Sequence, residues 1–358
     1  MSLLTAGLMG FILLGAGQAV MGPALPVFQR LFTLDSATSG WLISSLGIGS
    51  FLGLVGMYFM SRHVTPRLAL TVMAAGAALL ATAPGFLTSV LGGAVFGLGY
   101  GSVAALFNAR ILAAFGPRGP SMVSLLNAGY SVGAIAAPLA FVGLGSDPRL
   151  VFGIIAAVTV LTVLISGKAS GAKAAVRAGG GGFRFDLPIL SFGLIAIGIE
   201  VSLSGLGPSA MIRAGIAPDD AARLLSAFFV AFLASRLILT LLADRVPPFA
   251  VFTAACLFTA LCALGCAVIS PAWFFAPMGF SAGLFFPGYY VTASARMGDD
   301  PRVAPVILAA TQIGAVFTPL ILAGVIPLMG DVGFFWIVAV SAAIMGLVAL
   351  ASFRWMSR

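Results

Sequence analysis

Glu200 is the residue whose type and position point most directly to chemistry. It is an acidic side chain inside an apolar stretch that begins at residue 187. At about 1.5 Å per residue in a helix, it would lie about 20 Å from the start of that stretch. A carboxylate inside a bilayer costs about 2.5–3.5 kcal/mol, so it is normally paired, protonated or in contact with water. Such a group can bind and release a proton; the alternative is a hydrogen bond that only holds helices together.

Arg236 is the only basic residue deep inside an apolar stretch. The same rise per residue places it about 10 Å from the inner end of its helix, so a direct pair with Glu200 would have to bridge about 10 Å of depth. Asp244 lies two turns further along and is a rival partner. We expect Arg236 to belong to a charge network near one face of the membrane, with ligand binding as the alternative.

Uncharged polar side chains within the apolar stretches form a second set of candidates. Amide and phenol groups suit a neutral, hydroxyl-rich solute, and Phe107, Phe285 and Phe286 could stack on its apolar face. Hydrogen bonds between helices explain any one of these residues equally well. The candidates are Gln18, Asn108, Asn127, Tyr130, Tyr289, Tyr290 and Gln312.

Several kinds of chemistry are absent from the sequence. No metal cluster, nucleophile with a base or paired carboxylates occur within the apolar stretches. Cys256, Cys262 and Cys266 are an odd number on one stretch, which argues against a disulfide framework. The glycines at 179–182 lead to Phe183 rather than to Gly-Lys-Ser/Thr, so they are no phosphate loop. We therefore expect no enzyme activity, no cofactor and no bound metal.

The composition is that of a polytopic membrane protein. Hydrophobic residues make up 61% of the 358 residues and charged residues 8%. A span needs about 20 apolar residues, and only helices satisfy their own backbone hydrogen bonds in lipid. We predict an all-α protein with twelve spans at 3–28, 38–60, 68–84, 87–113, 119–144, 149–167, 187–210, 222–243, 248–269, 271–297, 301–328 and 332–354.

The distribution of basic residues predicts the orientation. The net charge is +8, but the lysines and arginines concentrate in alternate loops, which argues against a nucleic-acid partner. Positive charge marks the side that is not translocated. We expect both termini in the cytoplasm and the protein in the inner membrane, because the other side would carry only Arg30, Arg149, Arg213 and Arg223.

The chain contains an internal repeat. Gly133 to Leu139 has a counterpart at Gly314 to Leu320, 181 positions later, and Ala109-Arg110 has one at Ala295-Arg296, 186 positions later. Between the copies, hydrophobicity collapses into a Gly-rich polar segment that is typical of a flexible linker. The predicted domains are a six-helix bundle at 1–167, a cytoplasmic linker at 168–186 and a second six-helix bundle at 187–358.

These features resemble the major facilitator superfamily, in which two parallel six-helix repeats rock around a site near the midplane. The stretch from Gly198 to Gly205 around Glu200, followed by Ala234-Ser235-Arg236 and Asp244-Arg245, is similar to the subgroup related to fucose:proton symporters. The resemblance implies that spans 1, 4, 7 and 10 line the cavity. It also implies a proton-coupling role for Glu200 and a gating network of Arg236, Asp244, Arg245 and Arg62.

The sequence departs from the family pattern after the second span. The signature loop survives there as Gly56, Ser61, Arg62 and Arg67, without its carboxylate. The second copy retains the carboxylate at Asp244. A gating network that relied on the first carboxylate would therefore be incomplete.

The leading hypothesis is a proton-coupled secondary transporter, active as a monomer, that carries a small sugar-like or other neutral polar solute across the lipid bilayer by alternating access. A proton-driven exporter of hydrophobic or amphipathic compounds is the alternative within the same class. Fold does not determine function, so a non-transporting membrane assembly factor is a third hypothesis.

Overall fold

A computed structural model describes residues 2–60, 63–115, 118–166, 182–242, 246–298, 300 and 303–356. Its regular elements are helices throughout these residues. The long helices are α1 Ser2–Phe32, α2 Ser36–Met60, α3 Pro66–Thr82, α4 Phe86–Phe115, α5 Gly119–Gly143, α6 Pro148–Ser166, α7 Leu187–Arg213, α8 Pro218–Leu242, α9 Pro248–Val268, α10 Pro271–Met297, α11 Val303–Val325 and α12 Gly333–Ala351. A 3₁₀ turn at Ile326–Leu328 follows α11, and a short helix, α13, covers Phe353–Met356.

The helices form two compact units, Met1–Val176 and Arg177–Arg358. In the first unit α1 packs on α5, α2 on α4, and α3 on both α4 and α6. In the second unit α7 packs on α11, α8 on α10, and α9 on both α10 and α12. The same pairing recurs six helices later, which confirms the predicted all-α fold of two repeated six-helix bundles. The linker lies largely outside the described residues, so its exact bounds stay a prediction.

Nine described helices are long and apolar enough to cross a membrane by length and composition. Two apolar helices are shorter, Pro66–Thr82 and Pro148–Leu164. The 27 residues of α10 fall outside both groups, and their composition explains this, because the helix contains prolines, glycines and two adjacent tyrosines. Together these are the twelve predicted helices.

The positions of the helix ends are explained better by the residue types at those ends than by the hydropathy profile. Proline begins α3, α6, α8, α9 and α10, where its missing N–H is not needed and its fixed φ suits the first turn. The start of α8 lies at Pro218 rather than at the predicted residue 222, because Asp219 and Asp220 occupy its first turn. Acidic residues are stabilised there by the helix dipole, although they look like loop residues in a hydropathy profile.

Glycines set the distance between the main helix pairs of the first unit. A Cβ on Gly133 of α5 would overlap the carbonyl of Ile12 on α1, and one on Gly15 would overlap the carbonyl of Tyr130. Gly97 of α4 lies in the same way on the carbonyl of Leu46 in α2. Backbones can approach this closely only where the side chain is a hydrogen atom.

The second unit has the same glycine-to-carbonyl contacts where the equivalent helices cross. Gly314 of α11 lies against the carbonyl of Leu194 in α7, and Gly279 of α10 lies against that of Phe228 in α8. Gly314 is the repeat counterpart of Gly133, so the duplicated sequence preserves the contact as well as the residue. The glycine spacing therefore encodes which helices meet.

Substituting Gly133 by Ala should destabilise the first unit by about 1–3 kcal/mol, because α1 and α5 must separate to admit the methyl group. Gly143→Ala is the matched control, since Gly143 ends the same helix and a Cβ there meets nothing within 4 Å. The midpoint of thermal unfolding in detergent measures both. Equal midpoints for the two variants would contradict the close approach.

Candidate functional site

Glu200 lies in the middle of α7 and is half-buried. Its Oε2 atom is inaccessible to solvent and has no hydrogen-bond partner among the described residues. The carboxyl group interacts electrostatically with Arg236 on α8. A carboxyl inside a span, with one oxygen unpartnered and a cation within electrostatic reach, can hold or release a proton as its surroundings change.

The backbone around Glu200 is held by the crossing of α7 with α11. A Cβ on Gly198 would overlap the hydroxyl of Thr318, and Gly314 lies against the carbonyl of Leu194 one turn earlier. The hydroxyl of Ser202 donates to the carbonyl of Gly198 at 2.7 Å. The hydroxyl of Ser202 is therefore hydrogen-bonded within its own helix. Between Gly198 and Ser202, Glu200 is the residue with a buried polar atom that has no hydrogen-bond partner among the described residues.

Arg236 connects α8 to α10. Its Nε donates to the carbonyl of Gly283 at 3.3 Å, and its guanidinium lies 4.3 Å from the centre of the Phe232 ring. A Cβ on Gly283 would overlap the hydroxyl of Ser235, so this glycine also allows the two helices to approach. Arg236 is thus held by a carbonyl and an aromatic face while it interacts with Glu200. The other members of the predicted gating network, Asp244, Arg245 and Arg62, lie outside the described residues.

The predicted polar residues of the first unit fall on three helices. Gln18 of α1 accepts a hydrogen bond at 2.9 Å from the hydroxyl of Tyr100 on α4. Asn108, two turns after Tyr100, has an Oδ1 without a hydrogen-bond partner among the described residues. Asn127 donates to the carbonyl of Val123 on its own helix at 3.0 Å. Tyr130 is half-buried on α5. The structure brings Gln18 and α4 together, whereas the Asn127 amide is used locally.

The adjacent tyrosines of the second unit, Tyr289 and Tyr290, lie in different environments. Tyr289 is fully buried, its ring packs on Gly193 of α7, and its hydroxyl has no hydrogen-bond partner among the described residues. Tyr290 is half-buried and stacks on Phe286 with ring centres 5.2 Å apart. Gln312 is half-buried on α11. Of these three predicted residues, Tyr289 is enclosed within the second unit, whereas Tyr290 and Gln312 are partly accessible.

Tyr100 is a site candidate that the sequence reasoning missed. It lies eight residues before Asn108, and residues at this spacing share one face of a helix. That periodicity was available in the sequence. The hydrogen bond from its hydroxyl to Gln18 joins α1 and α4 through a polar contact.

A second missed feature is a buried ion pair at the start of α7, which we call the Arg296 clasp. Asp186 accepts two bonds from Arg296, at 2.8 Å from Nε and 2.7 Å from Nη2, and caps α7 by accepting from the amide of Ile189 at 3.2 Å. Arg296 also donates from Nη1 to the carbonyl of Trp355 at 2.7 Å and lies 4.4 Å from the centre of that ring. The clasp joins the start of α7, the end of α10 and α13.

The repeat partner of Arg296 occupies an equivalent place. Arg110 donates from Nη2 to the carbonyl of Val64, between α2 and α3, at 3.5 Å. Both arginines thus hold a segment next to the end of the fourth helix of their unit. From the sequence, Arg296 was assigned only as a repeat match and as part of the cytoplasmic positive charge.

The described residues contain no group of three or more His, Cys, Asp or Glu that could hold a metal ion. Cys256, Cys262 and Cys266 are free and buried on α9. The polar candidates in the described spans are thus Glu200, Arg236 and the amide and phenol groups, together with the buried hydroxyls of Ser209 and Ser226, which have no hydrogen-bond partner among the described residues.

Comparisons with known proteins agree with this architecture. Residues 7–305 match the family model of the Major Facilitator Superfamily. A variant of the nucleoside transporter NupG has a similar structure, with a TM-score of 0.79 at 14% identity, covering 98% of this chain and 99% of that one. A D-xylose-proton symporter gives a TM-score of 0.77 at 13% identity, covering 97% and 96%. A variant of the peptide transporter POT gives 0.77 at 14% identity, covering 99% and 95%. No curated protein matches the sequence.

The Arg296 clasp gives a prediction for stability. Arg296→Ala should cost about 3–5 kcal/mol, because it leaves the buried carboxylate of Asp186 unpaired. Arg223→Ala is the matched control, because the ion pair of Arg223 with Asp220 is exposed. The two side chains are 60% and 58% accessible, and such surface pairs contribute at most about 1 kcal/mol to stability. Thermal unfolding of the purified variants measures the difference.

A double variant tests whether the cost is one of unpaired charge. Asp186→Asn combined with Arg296→Leu should recover part of the loss, because asparagine can still cap α7 and no buried charge remains. A double variant less stable than Arg296→Ala would contradict this account of the clasp.

Proposed function

The chain belongs to the Major Facilitator Superfamily, and we propose that it is a proton-coupled secondary transporter of a small neutral polar solute. The family identifies a multi-pass membrane transporter rather than an enzyme. The family does not specify the solute or the coupling ion, and our proposal concerns these two. The observation that carries the proposal is the carboxyl group of Glu200, whose Oε2 atom is inaccessible and unpartnered among the described residues.

The coupling role follows from the cost of charge inside a membrane. An unpartnered carboxylate within a span is expensive, whereas a protonated one or one exposed to water is tolerated. Alternating access changes the wetting of a transporter's centre in each cycle. A residue placed like Glu200 would load a proton on one side and lose it on the other. Arg236, within electrostatic reach, would stabilise the carboxylate after the proton leaves.

The solute class follows from the uncharged polar groups. Gln18, linked to Tyr100, and Asn108 would serve the solute from the first unit, together with Asn127 and Tyr130. Tyr290 and Gln312 would serve it from the second unit, whereas Tyr289, the third candidate there, is fully buried. Amide and phenol groups form hydrogen bonds to hydroxyl-rich molecules without a charge requirement. The names of two similar structures, a nucleoside transporter and a D-xylose-proton symporter, are compatible with such solutes.

The remaining assignments follow from the charge distribution in the sequence. We propose that both termini lie in the cytoplasm, because the basic residues concentrate on that side, and that the membrane is the inner membrane. We also propose that the protein acts as a monomer, by resemblance to the family. Arg236 with Asp244, Arg245 and Arg62 forms the proposed gating network. Of these four, Arg236 is the residue whose contacts are described above.

Substituting Glu200 by Gln should abolish uphill accumulation driven by a pH gradient while leaving solute exchange in place, because the amide preserves shape but cannot carry the proton. The solute is first identified by a thermal-shift screen of sugars, organic acids and amphiphiles. Uptake and exchange are then measured in proteoliposomes with an imposed pH gradient. Asp219→Asn, which removes an exposed carboxyl from the first turn of α8, is the control.

Full gradient-driven uptake by the Glu200→Gln variant would overturn the coupling role. A screen in which only amphiphiles stabilise the protein would favour an exporter of amphipathic compounds. No transport of any solute, combined with copurification of one partner, would favour an assembly factor.

Gln18→Ala should weaken solute binding by about two- to tenfold, which corresponds to one neutral hydrogen bond. Gln29→Ala is the matched control on the same helix, because Gln29 donates to Ser39 at 2.7 Å near the far end of α1. The solute concentration that gives half of the maximal thermal shift measures the effect. Equal affinities for the two variants would remove Gln18 from the site.

A further inference from the structure

The second unit contains a groove that the proposed transport site does not use. It is about 590 Å³ in volume and lies between α7, α11 and α12, with α13 at one end. This volume is within the range of about 300–1,000 Å³ that ligand sites occupy. Its wall includes Ile195, Ile199, Leu322, Ile344, Val348 and Trp355.

The groove lining is mostly apolar, and two of its four hydroxyl side chains are hydrogen-bonded within their own helices. Ser191 donates to the carbonyl of Leu187 at 3.0 Å, and Ser352 donates to that of Val348 at 2.6 Å. These hydroxyls are therefore satisfied by their own helices. A polar solute would lose its hydration in the groove and gain few bonds, whereas a hydrocarbon chain would lose nothing.

The groove opens on surface that faces lipid. Ile344 and Val348 are 58% and 51% exposed, and both belong to α12, which is long and apolar enough to cross a membrane. The medium at the mouth of the groove is therefore the acyl region of the bilayer.

The Arg296 clasp closes the other end of the groove. Trp355 lines it and is held through its carbonyl and its ring by Arg296. Met356, the next residue, is buried at 2% exposure and also lines the groove. Tryptophan is enriched where a membrane helix meets the headgroup region. The closed end thus lies at the depth where a lipid's headgroup joins its chains.

Exposed arginines lie at this end of the groove. Arg354 on α13 is exposed, and so is Arg184, whose amide donates to the carbonyl of Met297 at 2.9 Å beside Arg296. Of the acidic residues described near this end, Asp186 is paired with Arg296, and Asp300 lies beyond the end of α10 and is half-buried. An anionic headgroup would find two available arginines here and no competing exposed carboxylate from the clasp.

The groove is not a necessary result of the repeated fold. In the first unit α1 packs more extensively on α6 than α7 does on α12, although the two pairs occupy equivalent positions. The wider separation is therefore specific to the second unit.

We propose that this groove binds one acyl chain of an anionic phospholipid, with the headgroup beside Arg354 and Arg184. The lipid would be a structural or regulatory ligand, bound apart from Glu200 and from the transported solute. This inference does not depend on which solute is carried.

Photolabelling in vesicles tests the proposal. The protein is reconstituted in phosphatidylcholine with increasing amounts of a phosphatidylglycerol that carries a diazirine in its acyl chain, and labelled peptides are mapped by mass spectrometry. Labelling of the peptides from α7 and α12 that line the groove should saturate. Ser341→Trp, which fills the groove, should reduce it at least about fivefold, the effect of losing about 1 kcal/mol.

The control is Leu347→Trp, on the same helix, 59% exposed and outside the groove lining, which should leave the labelling unchanged. Arg354→Gln should weaken labelling by phosphatidylglycerol about fivefold and leave labelling by a matched phosphatidylcholine probe unchanged, because one arginine near an anionic surface contributes about that much. Thermal unfolding midpoints confirm that each variant is folded.

Labelling that rises in proportion to probe without saturating, and equally in Ser341→Trp, would overturn the proposal in favour of ordinary surrounding lipid. Displacement of the probe by the transported solute would also overturn it, since the groove would then belong to the transport route.

Discussion

The lipid bilayer offers no hydrogen bonds to a peptide backbone, and the rest of this structure follows from that constraint. Every span must be a helix, and helices in lipid gain little from burying apolar side chains against each other. Close packing of backbones takes the place of the hydrophobic effect. The glycines at 133, 97, 314 and 279 allow it, each lying on a carbonyl of the neighbouring helix.

Within closely packed helices, polar side chains differ in whether they can form a hydrogen bond to their own helix. Most hydroxyls in the spans satisfy themselves on their own helix, as Ser202 does on Gly198. An ionised glutamate cannot do so, since its carboxylate only accepts hydrogen bonds and the N–H groups of its own helix already donate to backbone carbonyls. Glu200 therefore retains an unsatisfied oxygen next to the α7–α11 crossing. Ser209, further along α7, also has a buried hydroxyl without a hydrogen-bond partner among the described residues, but Glu200 is the ionisable group in the middle of this helix.

Hydropathy and the internal repeat were enough to predict the fold, because spans and repeats are properties of a continuous sequence. The number of helices, their arrangement as two repeated six-helix bundles and most of their ends agree with the structure, and the four-residue shift at α8 reflects acidic residues in its first turn. The position of Glu200 inside a span could also be read from the sequence around it, whereas its role stays a prediction. The partners were harder to predict, because Asp186 and Arg296 are 110 residues apart and Tyr100 with Gln18 are 82 apart. Only the packing of the bundle brings such pairs together.

The Arg296 clasp also has a consequence for biogenesis. Asp186 enters with α7, but its partner is synthesised only after α8, α9 and most of α10 have followed. Until then the carboxylate must stay in the aqueous headgroup region, since burial without Arg296 would be costly. Trp355 is synthesised after two further spans, so its contact with Arg296 cannot form before the last span of the unit has been made. The clasp can therefore be complete only at the end of synthesis of the second unit.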